Sequence, residues 1–298
     1  MNTNQSILES IGNTPLVKIN KLNPNPRVEI YAKIEGANPT GSVKDRIGLK
    51  MIEQAESSGE LTRDKIIIEP TSGNTGISLA MVGAFKGYQV HIVMSSAVSV
   101  ERQKMIKAFG GKVILTEASL GTDGAIIEAR KLVAENPGKY FMPDQFSNKC
   151  NYLAHYSATA DEIIRDTVGR VTHIVCAIGT SGTIMGVGKR LKELNPAIKV
   201  VCAQPVRGHY IQGLKNMEEA IVPSIYKPEL IDEMIMIETE EAFETARQVI
   251  LKEGIFCGMS AGASMLASQI LSKKLDSGYI VCIFSDRGEK YLSTGLFG

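Results

Sequence analysis

The sequence predicts an α/β fold of two three-layer αβα domains with mostly parallel sheets, packed around one cleft. Three observations carry that expectation. Short apolar, β-branched-rich runs recur at 66–68, 90–93, 113–115, 173–176, 200–202 and 279–284; they lack the polar alternation of half-exposed strands, as expected of strands covered on both faces. Longer stretches with apolar residues at helical spacing lie among them, at 101–109, 123–135, 151–165, 183–194, 240–252 and 261–273. At 298 residues the chain is also about twice the usual length of one domain.

The strand runs fall in two groups, before and after about residue 148, with no repeat or low-complexity linker between them. Two closely packed domains follow, rather than two bodies on a tether. Hydrophobic residues make up 44% and charged residues 22%, which suits a folded globular chain. The net charge of +1 comes without a basic block, so nucleic acid is not expected as a partner. Five cysteines, Cys150, Cys176, Cys202, Cys257 and Cys282, lack paired metal or redox spacing; they read as reduced thiols, three of them inside strand runs, and no metal site is expected. No apolar run reaches membrane-spanning length, and residues 1–10 lack the apolar centre of a secretory signal. A cytoplasmic location with no membrane partner is the expectation.

Four segments place Gly, Ser, Thr, Asn or Lys in strand-to-helix turns, where open α/β sheets bind ligands. They are 41–46 (GSVKDR), 71–76 (TSGNTG), 179–183 (GTSGT) and 285–289 (SDRGE). Taken singly, each also reads as a tight connection with a helix N-cap. The third reads as a cradle for one phosphate, since small residues let backbone N–H groups converge at a helix start. Neither the G-x-x-x-x-G-K-[ST] pattern nor a dinucleotide fingerprint is present. Lys44 follows the strand at 29–33 by a Gly/Pro/Asn turn and opens an apolar-periodic helix. There the helix dipole and neighbouring Arg46 would oppose its protonation, the condition a Schiff-base lysine needs. From position alone, an exposed helix-start lysine is the commoner identity.

Together the segments resemble the cysteine synthase (O-acetylserine sulfhydrylase) family of fold type II pyridoxal-phosphate (PLP) enzymes. The resemblance rests on 11–16 (IGNTPL), 38–46 (NPTGSVKDR), 71–76, Gln145-Phe146 with Asn148, 179–183, 258–263 (GMSAGA), and Ser285 with 288–294 (GEKYLST), and it covers nearly the whole chain. It implies a smaller, mobile domain of 1–12 and 38–148 and a larger domain of 13–37 and 149–298, with the active site between them. It implies that Lys44 binds the cofactor and carries the Cα proton, and that Asn74 hydrogen-bonds the cofactor's phenolic oxygen. Gly179, Thr180, Ser181, Gly182 and Thr183 would hold the phosphate, and Ser285 the pyridine nitrogen; adjacent Asp286 could compete for that role but reads rather as an exposed loop acid. Thr71, Ser72, Asn74, Thr75 and Gln145 would hold the substrate carboxylate, and Gly258 would face the substrate amine.

The implied reaction is β-replacement at a small L-amino acid through an α-aminoacrylate, O-acetyl-L-serine plus sulfide giving L-cysteine. A homodimer is also implied, with the arm at 1–10 carrying few apolar residues to bury alone. Two departures bear on the substrate: the Gly/Pro-rich segment after residue 203 is brief (204–213), and the mobile stretch 94–99 lacks the proline and acid common there. The alternative is a cysteine-consuming, hydrogen sulfide-releasing enzyme whose nucleophile is water, giving L-serine, or a second thiol, giving lanthionine. For water, Asp232 is a candidate activating base. Other readings are a dehydratase or cystathionine-forming relative, for which no regulatory or haem segment is present, a catalytically silent PLP-fold regulator, against which intact Lys44 and Asn74 count, and a dinucleotide oxidoreductase.

Overall fold

The computed structural model describes residues 3–298; of the arm at 1–10, Met1 and Asn2 lie outside the described residues. In chain order the strands and helices are β1 (Leu16–Lys18), β2 (Val28–Ile34), α1 (Lys44–Ser58), β3 (Ile66–Pro70), α2 (Asn74–Lys86), β4 (Val90–Ser95), α3 (Val100–Ala108), β5 (Lys112–Thr116), α4 (Gly121–Glu135), β6 (Tyr140–Phe141), α5 (Lys149–Ala154), α6 (Ala160–Thr167), β7 (His173–Ala177), α7 (Gly182–Leu194), β8 (Lys199–Pro205), β9 (Glu233–Ile237), α8 (Thr239–Gln248), α9 (Met259–Ser272) and β10 (Gly278–Phe284). They form a six-stranded sheet in the order β1-β2-β10-β7-β8-β9 and a four-stranded sheet in the order β5-β4-β3-β6. Every pairing is parallel except that of β1 with β2.

Continuous apolar runs make these strands because each is covered twice. Along β7, β8 and β10, neighbouring residues serve opposite layers. Val175, Val201 and Cys282 pack with α8 and α9, whereas Cys176, Val200 and Val281 pack with α6 and α7. In the smaller sheet Ile67 and Ile92 face α1 and α2, and Ile68 and Val93 face Ala125 and Ala129 of α4. This is the three-layer α/β arrangement on both sheets, with each fully buried large apolar side chain contributing about 1.5–3 kcal/mol. All five cysteines are free and buried, and burial raises the thiols of Cys176, Cys202, Cys257 and Cys282. They are packing residues, as the sequence indicates.

β1 and β2 come early in the chain yet join the sheet built from residues after 173. α1 then carries the chain to the four-stranded sheet, and a buried charge network fastens the transition. Arg46, in the first turn of α1, donates to Glu35 through Nε at 2.7 Å and Nη2 at 2.8 Å, and to Glu162 of α6 through Nη1 at 2.7 Å and Nη2 at 2.8 Å. Lys33 adds a second pairing to Glu162 at 2.8 Å. Burial pushes the Glu162 carboxyl up, but Arg46 and Lys33 outweigh it and hold it at about 2.

The single helix expected over 151–165 is α5 and α6 joined by a π turn, His155–Thr159. α7 packs so closely on that turn that a side chain at Gly186 would strike the Tyr152 carbonyl and His155. Such turns recur at functional sites, and this one sets the buried His155 beneath the 179–183 segment. β1, β6 and β9 carried no sequence signal strong enough to assign: two are short, and β9 (EMIMI) alternates as an edge strand does.

Arg46→Met is expected to destabilise the chain by about 3–5 kcal/mol, because Glu35 would be left buried without its cation and Glu162 with Lys33 alone. Urea unfolding followed by circular dichroism measures it; a loss under about 1 kcal/mol would contradict the role given to this network.

Candidate active site

The segments that follow β3, β7 and β10 converge on one cleft of about 870 Å³, lined among others by Thr71, Ala177 and Gly179, and Ser285. The carboxyl ends of strands from both sheets therefore face the same space, where α/β proteins bind ligands. Lys44, Asn74, Thr71, Ser72, Thr75, Gln145, the whole run Gly179–Thr183 and Ser285 all line it.

Lys44 opens α1, and its backbone N–H donates to Ser42 Oγ at 3.3 Å. Its Nζ has no hydrogen-bond or ion-pair partner among the described residues. Burial pushes the amine down to about 8, against an upward pull from Asp286. Arg46 is not the cause: its charge is spent on Glu35 and Glu162, which corrects the expectation that it opposes the protonation of Lys44. An amine near 8 is neutral in a useful fraction of molecules, as a nucleophile or base requires.

Two helix N-termini open on the cleft. α7 begins after Ser181, whose φ of 66° turns the chain into the helix. A Cβ at Gly179 would strike the Gly213 carbonyl, and one at Gly182 would strike Asn151, so only glycine lets the backbone fold this tightly. Asn151 Nδ2 donates to Thr180 Oγ1 at 3.0 Å, and Thr183 Oγ1 lies 3.3 Å from His155 Nε2. Burial holds the His155 imidazole well below its usual range, so it props Thr183 without adding charge. Ser181 Oγ is buried with no partner. A donor so orphaned costs about 1–3 kcal/mol unless a ligand satisfies it, and together with the helix start it fits a phosphate.

The second N-terminus is that of α2, entered through Gly73 at φ 132°. Gly73 N–H donates to Thr71 Oγ1 at 3.0 Å, and Thr75 Oγ1 donates to Gln145 Oε1 at 2.6 Å. Gln145 is set by its own N–H bond to Glu69 at 2.9 Å and by its Nε2 bond to the Pro70 carbonyl at 3.1 Å. Burial raises the Glu69 carboxyl to about 8 against these bonds. Ser72 stays partly open. Hydroxyl, amide and N–H donors at a helix start suit one small carboxylate.

Two further expectations change, for Asp286 and Asp232. Asp286 is not an exposed loop acid: it lines the cleft at 2% exposure. Its Oδ2 accepts from Asn74 Nδ2 at 2.7 Å, Tyr291 Oη at 2.7 Å and Arg102 Nη2 at 3.3 Å. Gly258 sits against the lining, its N–H donating to the Asp286 carbonyl at 3.1 Å, and a Cβ there would strike Asp286 and Tyr291. Asp232 is not a cleft residue at all. It accepts from Val200 N–H at 2.8 Å and pairs with Lys192 at 2.7 Å, at the start of β8, whereas the cleft lies at the other ends of the strands. Partial burial pushes its carboxyl up, but Lys192, the Val200 N–H and Lys199 outweigh that and keep it a weak base. The sequence missed Asp286, Tyr291, Tyr210 and Lys215 in the lining, and Arg102 behind it. Arg102 donates to the Ser72 carbonyl at 2.8 Å and stacks 4.6 Å from the Tyr291 ring centre. Only the polar run at 285–291 carried a hint of this.

The profile of the family described as "Pyridoxal-phosphate dependent enzyme" matches residues 7–286. Among curated proteins the chain is 48% identical to cysteine synthase of Aquifex aeolicus, over 98% of this chain and 92% of that one, and 42% identical to cysteine synthase B of Salmonella typhimurium, over 97% and 95%. Among solved structures, cysteine synthase of Entamoeba histolytica superposes with a TM-score of 0.92 at 45% identity, over 99% of this chain and 91% of that one. A hydrogen sulfide-producing enzyme from Fusobacterium nucleatum gives 0.93 at 42%, over 97% and 100%.

The rate at which apoprotein takes up pyridoxal phosphate at Lys44 is expected to rise with pH and level off above an inflection near 8, the value burial gives the amine. Stopped-flow absorbance measures it. An inflection near the ordinary lysine value of 10.5 would contradict the burial argument.

Proposed function

The chain belongs to the pyridoxal-phosphate dependent enzyme family, and from that premise we propose that it replaces the acetate of O-acetyl-L-serine with sulfide, giving L-cysteine and acetate. The observation that carries the reading is the unpartnered Lys44 amine, set in one cleft with the N-termini of α7 and α2.

Gly179 to Thr183 hold the cofactor phosphate, through backbone N–H groups and the Ser181 and Thr183 hydroxyls. Thr71, Ser72, Thr75 and Gln145 hold the substrate carboxylate, which fixes Cα. Asn74 presents its carboxamide N–H to the cofactor's phenolic oxygen, and Ser285 offers a neutral hydroxyl to the ring nitrogen. Bound pyridoxal phosphate supplies a conjugated electron sink for the pair left at Cα when its proton is removed. Lys44 Nζ, as the neutral amine, takes that proton and later returns it to Cα. A hydroxyl at the ring nitrogen leaves the sink weaker than an aspartate would, which favours loss of the β-substituent over transamination.

Of the described residues, 3–12 and 38–148 act as the moving part over 13–37 and 149–298. Support comes from the mouth of the cleft, where Lys215 donates to Asp123 of α4 at 2.8 Å and packs 5.2 Å from the Phe146 ring centre. Closure there would keep water from the reacting carbons. A cytoplasmic homodimer completes the reading; Ile7 of the N-terminal arm is 48% exposed, an apolar side chain a partner subunit would cover. No helix among the described residues is long and apolar enough to cross a membrane.

A second reading takes L-cysteine as the amino-acid substrate and releases sulfide, and the likeness to the hydrogen sulfide-producing enzyme favours carrying it. In that direction a thiol is the better nucleophile. Asp286 is the sole carboxylate in the described lining; three donors occupy its Oδ2, and its unpartnered Oδ1 is buried on the Gly258 side.

Purified holoenzyme given O-acetyl-L-serine and sulfide is expected to form L-cysteine, and Lys44→Ala to lower the rate at least about 1,000-fold, within the 10²–10⁴ range of a lost acid–base group. Chromatography of the products decides. No L-cysteine from the wild type, with sulfide released from L-cysteine alone, would replace the first reading by the second.

A further inference from the structure

Behind Asn74 lie two side chains of opposite hydrogen-bonding character. Lys290 is fully buried, and its Nζ donates to the Gly41 carbonyl at 3.0 Å and to Asn74 Oδ1 at 3.0 Å. On the other side Asp286 Oδ2 accepts from Asn74 Nδ2 at 2.7 Å. That oxygen also receives Arg102, which can only donate, and the Tyr291 hydroxyl, so it stands as an acceptor. Burial lowers the Lys290 amine to about 8; below that pH it is an ammonium and cannot accept, while an acceptor oxygen cannot donate. A carboxamide between them has one orientation that makes both bonds, and turning it over would set N–H against ammonium and oxygen against oxygen.

We infer that Lys290 and Asp286 are positioning residues that lock the Asn74 carboxamide, so that its second Nδ2 hydrogen always points into the cleft as a donor. Without them an asparagine amide turns over at little cost and offers an acceptor half the time, which would repel a phenolic oxygen bearing negative charge. The lock is built from residues far apart in the chain. Lys290 also ties Asn74 to Gly41, three residues before Lys44, and Ser99 Oγ donates to the Lys290 carbonyl at 2.8 Å. The donor to the cofactor and the lysine that binds it are thereby held in one frame. The inference rests on the reading of Asn74 as a cofactor ligand given under Proposed function.

The test is a double-mutant cycle on holoenzyme, read from the visible absorption maximum of bound pyridoxal phosphate and from its dissociation constant. Asn74→Ala is expected to move the band and weaken cofactor binding up to about tenfold, the worth of one hydrogen bond. Lys290→Gln, whose amide can donate or accept, and Asp286→Ala, which removes the acceptor, are each expected to move the band the same way. In the Asn74→Ala background neither is expected to move it further, and Lys290→Arg, which keeps a cationic donor, is expected to leave the band near wild type. Asp286→Ala carries the test if Lys290→Gln does not fold. Shifts of equal size with and without Asn74, or no shift from a folded Lys290 or Asp286 variant while Asn74→Ala shifts the band, would overturn the lock. No shift from Asn74→Ala itself would overturn the underlying reading of Asn74.

Discussion

The structure depends on keeping one lysine amine easily deprotonated and unpartnered among charged neighbours. Three consecutive residues, Lys44, Asp45 and Arg46, begin α1, and two of them are fastened elsewhere. Asp45 accepts from the Thr40 N–H at 2.7 Å and from the Thr40 hydroxyl. Arg46 is gripped on both sides by Glu35 and Glu162. With its neighbours' charges already matched, Lys44 is the member of the trio left facing the cleft, where burial rather than repulsion lowers its proton affinity. The pairs that hold α1 to the larger sheet thus also isolate the amine.

Around that amine the two sheets contribute complementary halves. The six-stranded sheet ends in the α7 cradle, where Gly179 and Gly182 allow an approach no side chain would permit and His155, raised on its π turn, supports Thr183. The four-stranded sheet ends in the α2 cradle, where Glu69 sets Gln145 and Gln145 receives Thr75. Both cradles use helix N-termini and neutral donors. Anions are held without adding cations that would push the lysine further down. Of the other cations nearby, Arg102 and Lys290 lie behind the lining, matched by Asp286 and backbone carbonyls, and Lys215 lines the cleft but is paired with Asp123.

Much of this was legible in the sequence because it is local. Strands covered on both faces show as continuous apolar runs, and a glycine-rich turn between strand and helix shows whatever the rest of the chain does. The phosphate segment, the 71–75 turn and Lys44 were found this way, and their order along the chain pointed to the family. What could not be read depends on contacts between distant segments. Asp286 looks like a surface acid beside Arg287; it is buried because Arg102, Asn74 and Tyr291 close over it. Arg46 looks like a neighbour of Lys44 until Glu162 arrives from α6. Asp232 looked free because nothing local reveals Lys192, which meets it at the far end of β8 from the cleft.

Two buried lysines near the cleft have amines lowered to about 8, Lys44 and Lys290, so proton affinity alone does not choose between them. Geometry does: Lys290 is bonded to Gly41 and Asn74, and Lys44 is free and lines the cleft. Borohydride reduction of the holoenzyme followed by peptide mapping tests this directly. The account predicts the pyridoxyl group on the peptide bearing Lys44 and nowhere else; label on Lys290, or on any other lysine with Lys44 unmodified, would contradict it.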